Sequence, residues 1–424
     1  MNSPAPSPRS RPVRHPSMSQ TPTALCPSPP HPSITEASTP MPDQMLVEPV
    51  LTMLCPSFAG ETLPAHGRHD GAMETLRVTL EALGIGSVEE MTWRNYETIM
   101  RVVEPLIGAG HRLRHFDYTH SAALQLGTVE RLRTDYTIRL AYTEWGSPQN
   151  PALICLGGIA NSARRFDYVA RALSHRYHVL CLDWAGRGRS GWLADQSDYS
   201  FDGTVAQVLA LIRHKQLGPV TLLGSSLGGS VAMRAAAAAP ELVERLILND
   251  IGPFIPTERR RRRAESVARH YVFRHPAQLF HRTGAAQKND GPVDDTVLLH
   301  NSFHQTRWSE ENGGRVYRHD IRALQCYRDG AIQDHDQWDD WQRIDCPVLL
   351  VHGMMSDALQ EATIARMMGK PGLSVLHVPD VGHTPTLSDP LHIDALARWM
   401  SAPHTLPAES TIGWTAGAAR ILFR

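Results

Sequence analysis

Lysine is almost missing from this chain of 424 residues: Lys215, Lys288 and Lys370 are all there is, and arginine carries the basic charge. The formal net charge is −1, so no global field draws the protein to nucleic acid or to an anionic membrane. Cysteine is scarce too. Cys26, Cys55, Cys155, Cys181, Cys326 and Cys346 lie far apart, with no CxxC pair and no zinc-site spacing. Cys155 and Cys181 sit inside apolar runs, where a thiol serves as a small hydrophobe, and buried free thiols suit a reducing compartment. No stretch of about 18 apolar residues is present, which argues against a spanning helix. The first residues lack the apolar core of a secretory signal. These absences point to a soluble, cytoplasmic protein with no nucleic-acid partner and no membrane span, and they leave its oligomeric state open.

What is present is enough apolar residue, 42% of the chain, to bury a sizeable core. Residues 1–60 are the exception. Segments such as SPAPSPRSRPVRHPS and CPSPPHPS are too poor in large apolar side chains to offset their ordering entropy, so disorder is expected. Residues 61–125 form a short extension in which METLRVTLEALG and VEEMTWRNYETIMRVVEPLIG carry apolar residues at helical spacing.

From Val129 onward short apolar strands alternate with helical segments. Strands are expected at 129–135, 137–145, 152–157, 177–183, 220–225, 244–250, 348–353 and 373–379. Several are continuous apolar runs of the kind that central parallel strands show when helices cover both faces. The expected fold is therefore α/β, a doubly wound and mostly parallel sheet of eight strands. Residues 126–255 and 344–402 make up this core. Residues 256–343 show helical patterns and no good strand, and are expected to be a helical lid inserted between the sixth and seventh strands. Residues 403–424 form a tail with no assigned role.

The chemistry concentrates at strand ends. Gly224-Ser225-Ser226-Leu227-Gly228-Gly229 follows the apolar strand VTLLG and precedes a helical run. This is GxSxG in the strand–turn–helix setting of a nucleophile elbow, where a sharp turn presents the Ser226 hydroxyl and the new helix aims N–H groups at developing negative charge. Acyl transfer needs two such donors, and the N–H groups of Leu227 and of Ile159, in the Leu156-Gly157-Gly158-Ile159 turn, are the candidates. A serine hydroxyl also needs a histidine base and a carboxylate to orient it. His383 follows the last strand of the core and completes the order Ser…Asp…His. Two aspartates compete for the third place: Asp357, in a loop just past a strand end, is expected to be the acid, and Asp250 is the fallback. Asp183-Trp184-Ala185-Gly186-Arg187-Gly188-Arg189-Ser190 lacks the lysine of a phosphate loop and is read as a structural turn.

In this order the motifs GGIANSARRFDY, LDWAGRGRS, LLGSSLGG, LILNDIGP, HGMMSDAL and VPDVGHTPTL resemble the α/β-hydrolase superfamily, within its large group of lid-bearing bacterial hydrolases. The resemblance runs from about Leu126 to Ala402. It implies a serine hydrolase that forms an acyl-enzyme on a small to medium carboxylic ester, with no metal and no organic cofactor. Hydrolysis of C–C bonds or thioesters and acyl transfer would use the same triad, and a ligand-binding protein on a hydrolase scaffold is the alternative of another class. The chain departs from the family in having Gly157-Gly158 where His-Gly is common, and Ser225 where histidine often precedes the nucleophile. In the insertion, Arg259 to Arg263 open a helix against its dipole. The run reads as a solvated basic face or as a hint of an anionic substrate. Trp308, Tyr317, Tyr327, Trp338 and Trp341 read as lid core, and DHDQWDD as a polar loop.

Overall fold

The computed structural model describes residues 70–121, 135–403, 406–415 and 421–422. Two amphipathic helices come first, α1 (Asp70–Leu83) and α2 (Trp93–Gly108), the latter started by a Thr92 hydroxyl that accepts from the Asn95 N–H. The expected strand at 129–135 lies almost wholly outside the described residues. The strand that pairs in its place is β1 (Arg112–His120), antiparallel to β2 (Tyr136–Trp145). The core sheet therefore begins inside the segment read as an extension.

After β2 the rhythm is as the apolar runs require: β3 (Ala152–Leu156), α3 (Asp167–Leu173), β4 (His178–Leu182), α4 (Phe201–His214), β5 (Val220–Ser225), α5 (Leu227–Ala238) and β6 (Val243–Asn249). An insertion follows, and the sheet resumes with β7 (Val348–Gly353), β8 (Leu373–Val378) and the short β9 (Glu409–Thr411). Among the described residues the sheet thus has nine strands, not the eight expected, in the order β1-β2-β4-β3-β5-β6-β7-β8-β9. The ninth belongs to the tail, which has no role evident in its sequence. It runs parallel to β8, where Glu409 reaches His377 at 2.8 Å. Strands β3 through β9 all run parallel, while β1 and β2 are antiparallel additions at one edge.

Apolar side chains fill both faces of this sheet. One layer joins Ile154, Leu156 and Leu222 to Val208 of α4 and Val231 of α5. The other joins Leu153, Val179 and Val351 to Phe166, Leu396 and Trp399.

The insertion between β6 and β7 is not purely helical, as its sequence pattern implied. It contains α6 (Thr257–Val267), α7 (Pro276–Asp290), α8 (Asp295–Gln305), α9 (Ile321–Asp329) and α10 (Trp338–Arg343). It also contains a small antiparallel sheet of Val272–Phe273, Gly314–Tyr317 and Thr306–Ser309. Trp338 and Trp341 turn away from it and join the core over the main sheet.

A third apolar core ties the N-terminal helices to this insertion. Leu76, Tyr96, Ile99 and Val103 from α1 and α2 pack with Phe280 of α7 and Leu298 of α8, and Leu422 of the tail closes the cluster. The Tyr96 ring meets Phe280 edge-on at 5.0 Å, and its hydroxyl donates to the Leu299 carbonyl at 2.7 Å. Beside this core Arg164 bonds both Glu104 and Asp167, with His300 and His304 against the same carboxylates. No helix among the described residues is long and apolar enough to cross a membrane.

Candidate active site

Ser226 sits between β5 and α5 with φ 53° and ψ −119°, the strained left-handed turn that a nucleophile elbow imposes on a non-glycine residue. The flanking glycines allow it. A Cβ on Gly224 would lie 2.4 Å from the Gly228 carbonyl oxygen, and one on Gly228 would lie 2.1 Å from that of Leu156. Neither position has room for a side chain.

From this turn a continuous chain of polar contacts runs inward. The Ser226 Oγ lies 2.7 Å from His383 Nε2, and His383 Nδ1 lies 2.8 Å from Asp250 Oδ2. The carboxylate is therefore Asp250, the fallback, and not Asp357. Asp250 directly follows β6, the strand next to β5, which Ser226 directly follows. It is wholly buried, and it accepts from the Gly353 N–H at 2.9 Å and from the Ser356 hydroxyl. The chain past β7 turns outward after Ser356. The Asp357 side chain is 61% exposed and pairs with Arg259 at 3.3 Å instead of with His383.

Burial pushes the His383 pKa below the ordinary value, the bond to Asp250 opposes this, and the nearby Arg259 and Arg263 add to the lowering. The net lowering favours the neutral imidazole. A neutral ring bonded through Nδ1–H to a carboxylate leaves Nε2 to accept the Ser226 hydroxyl proton.

The Gly157-Gly158-Ile159 turn lies directly against the serine, since a Cβ on Gly158 would be 3.6 Å from that of Ser226. Residues from the motif read as structural hold this turn and the segment after it. Arg187, buried, donates from Nε to the Ile159 carbonyl at 3.0 Å. Asp183 accepts from the N–H groups of Ala163 and Arg189 at 2.6 and 2.9 Å, and burial raises its pKa to about 6. Leu227 opens α5, where a first-turn N–H has no partner within the helix. Both N–H groups named from the sequence thus border the serine turn. Sequence reading missed Ser356 and Asn249. The latter's amide donates to the Ser225 hydroxyl and the Pro385 carbonyl, bracing the elbow against the histidine loop. Only its place at the end of an apolar strand marks it.

Ser226, His383 and Ile159 border a cavity of about 610 Å³ roofed by the insertion, with Arg263, Ser266 and Tyr317 among its walls. Of the insertion's five singled-out aromatics, Tyr317 alone is among the residues that line it. The arginine run is not one solvated face. Arg259 is buried on Asp357, Arg260 bonds the Gln333 carbonyl under the Tyr327 ring, and Arg262 reaches Glu258. A metal-like grouping occurs elsewhere: ligand atoms of Glu104, Asp167, His300 and His304 lie within 4.8 Å of one another. The Arg164 guanidinium already supplies the cation there, and none of the four lines the cavity.

Residues 151–390 match the protein family described as the alpha/beta hydrolase fold. The chain belongs to this family, and it is a hydrolase. It is 32% identical over 293 residues to a 3-hydroxybutyrate-oligomer hydrolase of Cupriavidus necator, covering 64% of this chain and 96% of that one. An esterase of Mycobacterium tuberculosis is 29% identical, over 57% of this chain and 78% of its own. Among solved structures, an alpha/beta hydrolase from Novosphingobium aromaticivorans superposes with a TM-score of 0.57 at 27% identity, over 68% of this chain and 98% of that one.

Proposed function

We propose that the protein is a serine esterase that cleaves a small to medium carboxylic ester through an acyl-enzyme. The observation that carries this reading is the unbroken line Ser226–His383–Asp250, with contacts of 2.7 and 2.8 Å, opening onto the cavity. Ser226 Oγ attacks the ester carbonyl as its proton passes to His383 Nε2. Asp250 holds the ring in the tautomer that accepts this proton and stabilises the imidazolium that results. The N–H groups of Leu227 and Ile159 receive the oxyanion. His383 returns the proton to the departing alkoxide, the C–O bond breaks, and the acyl group stays on Ser226. Water, deprotonated by the same histidine, then frees the acid.

The insertion acts as a lid over the carboxyl ends of the strands. The asparagines and arginines of the cavity favour a short polar substrate over a long acyl chain, and the hydroxy-acid ester named for the Cupriavidus relative is of that kind. The test is hydrolysis of p-nitrophenyl esters of increasing acyl length by the wild type and Ser226→Ala. The wild type is expected to prefer short chains, and the variant to lose on the order of 10³-fold or more in kcat. Equal rates in the two proteins would remove Ser226 as nucleophile.

A further inference from the structure

The face of α8 that meets the cavity beside Ser226 carries a buried side chain with an unmet hydrogen bond. Leu298, Asn301, Ser302 and Gln305 line the cavity from that helix, at the spacing of a single face. Ser302 already has a partner, the Thr283 hydroxyl at 3.0 Å. Asn301 is only 7% exposed, and its Oδ1 is buried with no hydrogen-bond partner among the described residues. An unpaired buried amide oxygen is unfavourable, and a donor brought by a ligand relieves it.

A second hydrogen-bonding group borders the same cavity. His319 follows the short strand Gly314–Tyr317, and its ring stacks on that of Tyr317 at 5.4 Å. Neither of its ring nitrogens has a hydrogen bond among the described residues. Burial, reinforced by Arg187, lowers its pKa to about 4, so the ring is neutral, with one nitrogen donating and the other accepting. The His319 backbone pairs with that of Arg187, whose guanidinium holds the Ile159 carbonyl. His319 thus stands on the Ile159 side of the serine. An adjoining recess of about 420 Å³ is bordered by His383 but by neither Ser226 nor Ile159. The departing alcohol, which His383 protonates, faces that recess, and the larger cavity is left for the acyl chain.

An ester group contains acceptors only, so it gives nothing to an orphaned amide oxygen. A hydroxyl both donates and accepts, and one such group suits the Asn301 carboxamide and the neutral imidazole alike. We propose that the cavity takes esters whose acyl chain carries a free hydroxyl, and that Asn301 and His319 hydrogen-bond this hydroxyl and set the specificity. This rests on the serine-esterase reading of the same site.

The test measures kcat/KM, by titration of the released acid, for three ethyl esters on one acyl skeleton. Ethyl 3-hydroxybutyrate carries the hydroxyl, ethyl 3-methylbutyrate has a methyl in its place, and ethyl 3-oxobutyrate has an acceptor there and no donor in its keto form. The wild type is expected to favour the hydroxy ester over each of the others by about tenfold or more. In Asn301→Leu and in His319→Phe this preference should fall toward one, and His319→Gln, which keeps a donor and an acceptor, should restore part of it. A lesion of structure alone would slow all three esters together and leave their ratios intact. A wild type that cleaves the three equally, or a preference that survives in either Asn301→Leu or His319→Phe, overturns the proposal and leaves the esterase reading standing. Calorimetry on Ser226→Ala decides the point without turnover and without altering either residue. Ethyl 3-hydroxybutyrate should bind about tenfold or more tightly than ethyl 3-methylbutyrate. Equal binding overturns the proposal, whereas failure to cleave any of the three esters would sink the esterase reading separately.

Discussion

Replacing Asp250 by asparagine should inactivate the enzyme while leaving it folded, and replacing Asp357 in the same way should do almost nothing. Asp250 is fully buried and meets three donors: the Gly353 N–H, the Ser356 hydroxyl and His383 Nδ1. Asparagine has the same shape and keeps an oxygen for the Gly353 N–H. It replaces the other acceptor with an NH₂ group, which favours the imidazole tautomer whose Nδ1 accepts and whose Nε2 carries the proton. That tautomer cannot take the Ser226 proton across the 2.7 Å contact. A wrong-tautomer lesion of this kind costs about 10⁴-fold in kcat, or roughly 5.4 kcal/mol. Asp357 is mostly exposed, and its carboxylate pairs with the buried Arg259 and the exposed Arg262 rather than with His383, so Asp357→Asn should stay within about fivefold of the wild type in kcat. The assay is kcat on a short p-nitrophenyl ester, with circular dichroism to show that both variants are folded. An Asp250→Asn enzyme that keeps more than about a tenth of its activity, or an Asp357→Asn enzyme that falls as far as Asp250→Asn, would refute this assignment of the acid.

Two further outcomes follow from the same contacts. The pKa of His383 is depressed by burial, and only its neutral form can take the serine proton, so kcat/KM should hold as pH falls past 6.5 and drop only at lower values; an acidic limb centred above 6.5 would contradict it. Tyr96 is buried between α2 and the insertion, so Tyr96→Ala should destabilise by about 3–5 kcal/mol in urea unfolding, whereas Tyr96→Phe, which loses only the bond to Leu299, should cost about 1 kcal/mol. A neutral Tyr96→Ala would mean that the N-terminal helices do not brace the insertion.

The parts of the site that are legible in sequence are those whose geometry is local. Ser226 and its glycines announce a sharp turn within six residues, because only glycine fits where Gly224 and Gly228 approach backbone oxygens. His383 stands out by following the last long apolar strand. The expected carboxylate and the one that meets His383 differ because two aspartates lie at or just past strand ends, and the contact depends on which of them reaches the imidazole across the sheet. Asp250 does so from β6, in a left-handed conformation with φ 55° that turns its carboxylate toward β7. No spacing in the chain encodes that turn. Ser356 is its counterpart: one residue before Asp357, it donates to Asp250, and only the fold shows that this loop braces Asp250 instead of bringing Asp357 to the imidazole.

The strands that sequence patterns do not reveal are polar edge strands. RLRHFDYTH buries only Phe116, Tyr118 and His120, and Glu409–Thr411 buries none of its residues, so neither has the apolar run that betrays a central strand. Their pairing comes from neighbours that need an edge partner. The N-terminal helices present the converse case. Their amphipathic pattern is clear, but an apolar stripe does not say what it will cover. Here it covers α7 and α8, and those helices carry cavity residues on other faces: Arg282 and Thr283 on α7, Leu298 and Asn301 on α8. A segment far from Ser226 in the chain therefore sets where the roof of the cavity sits. That places the extension among the elements that shape the cavity beside Ser226, although none of its described residues lines it.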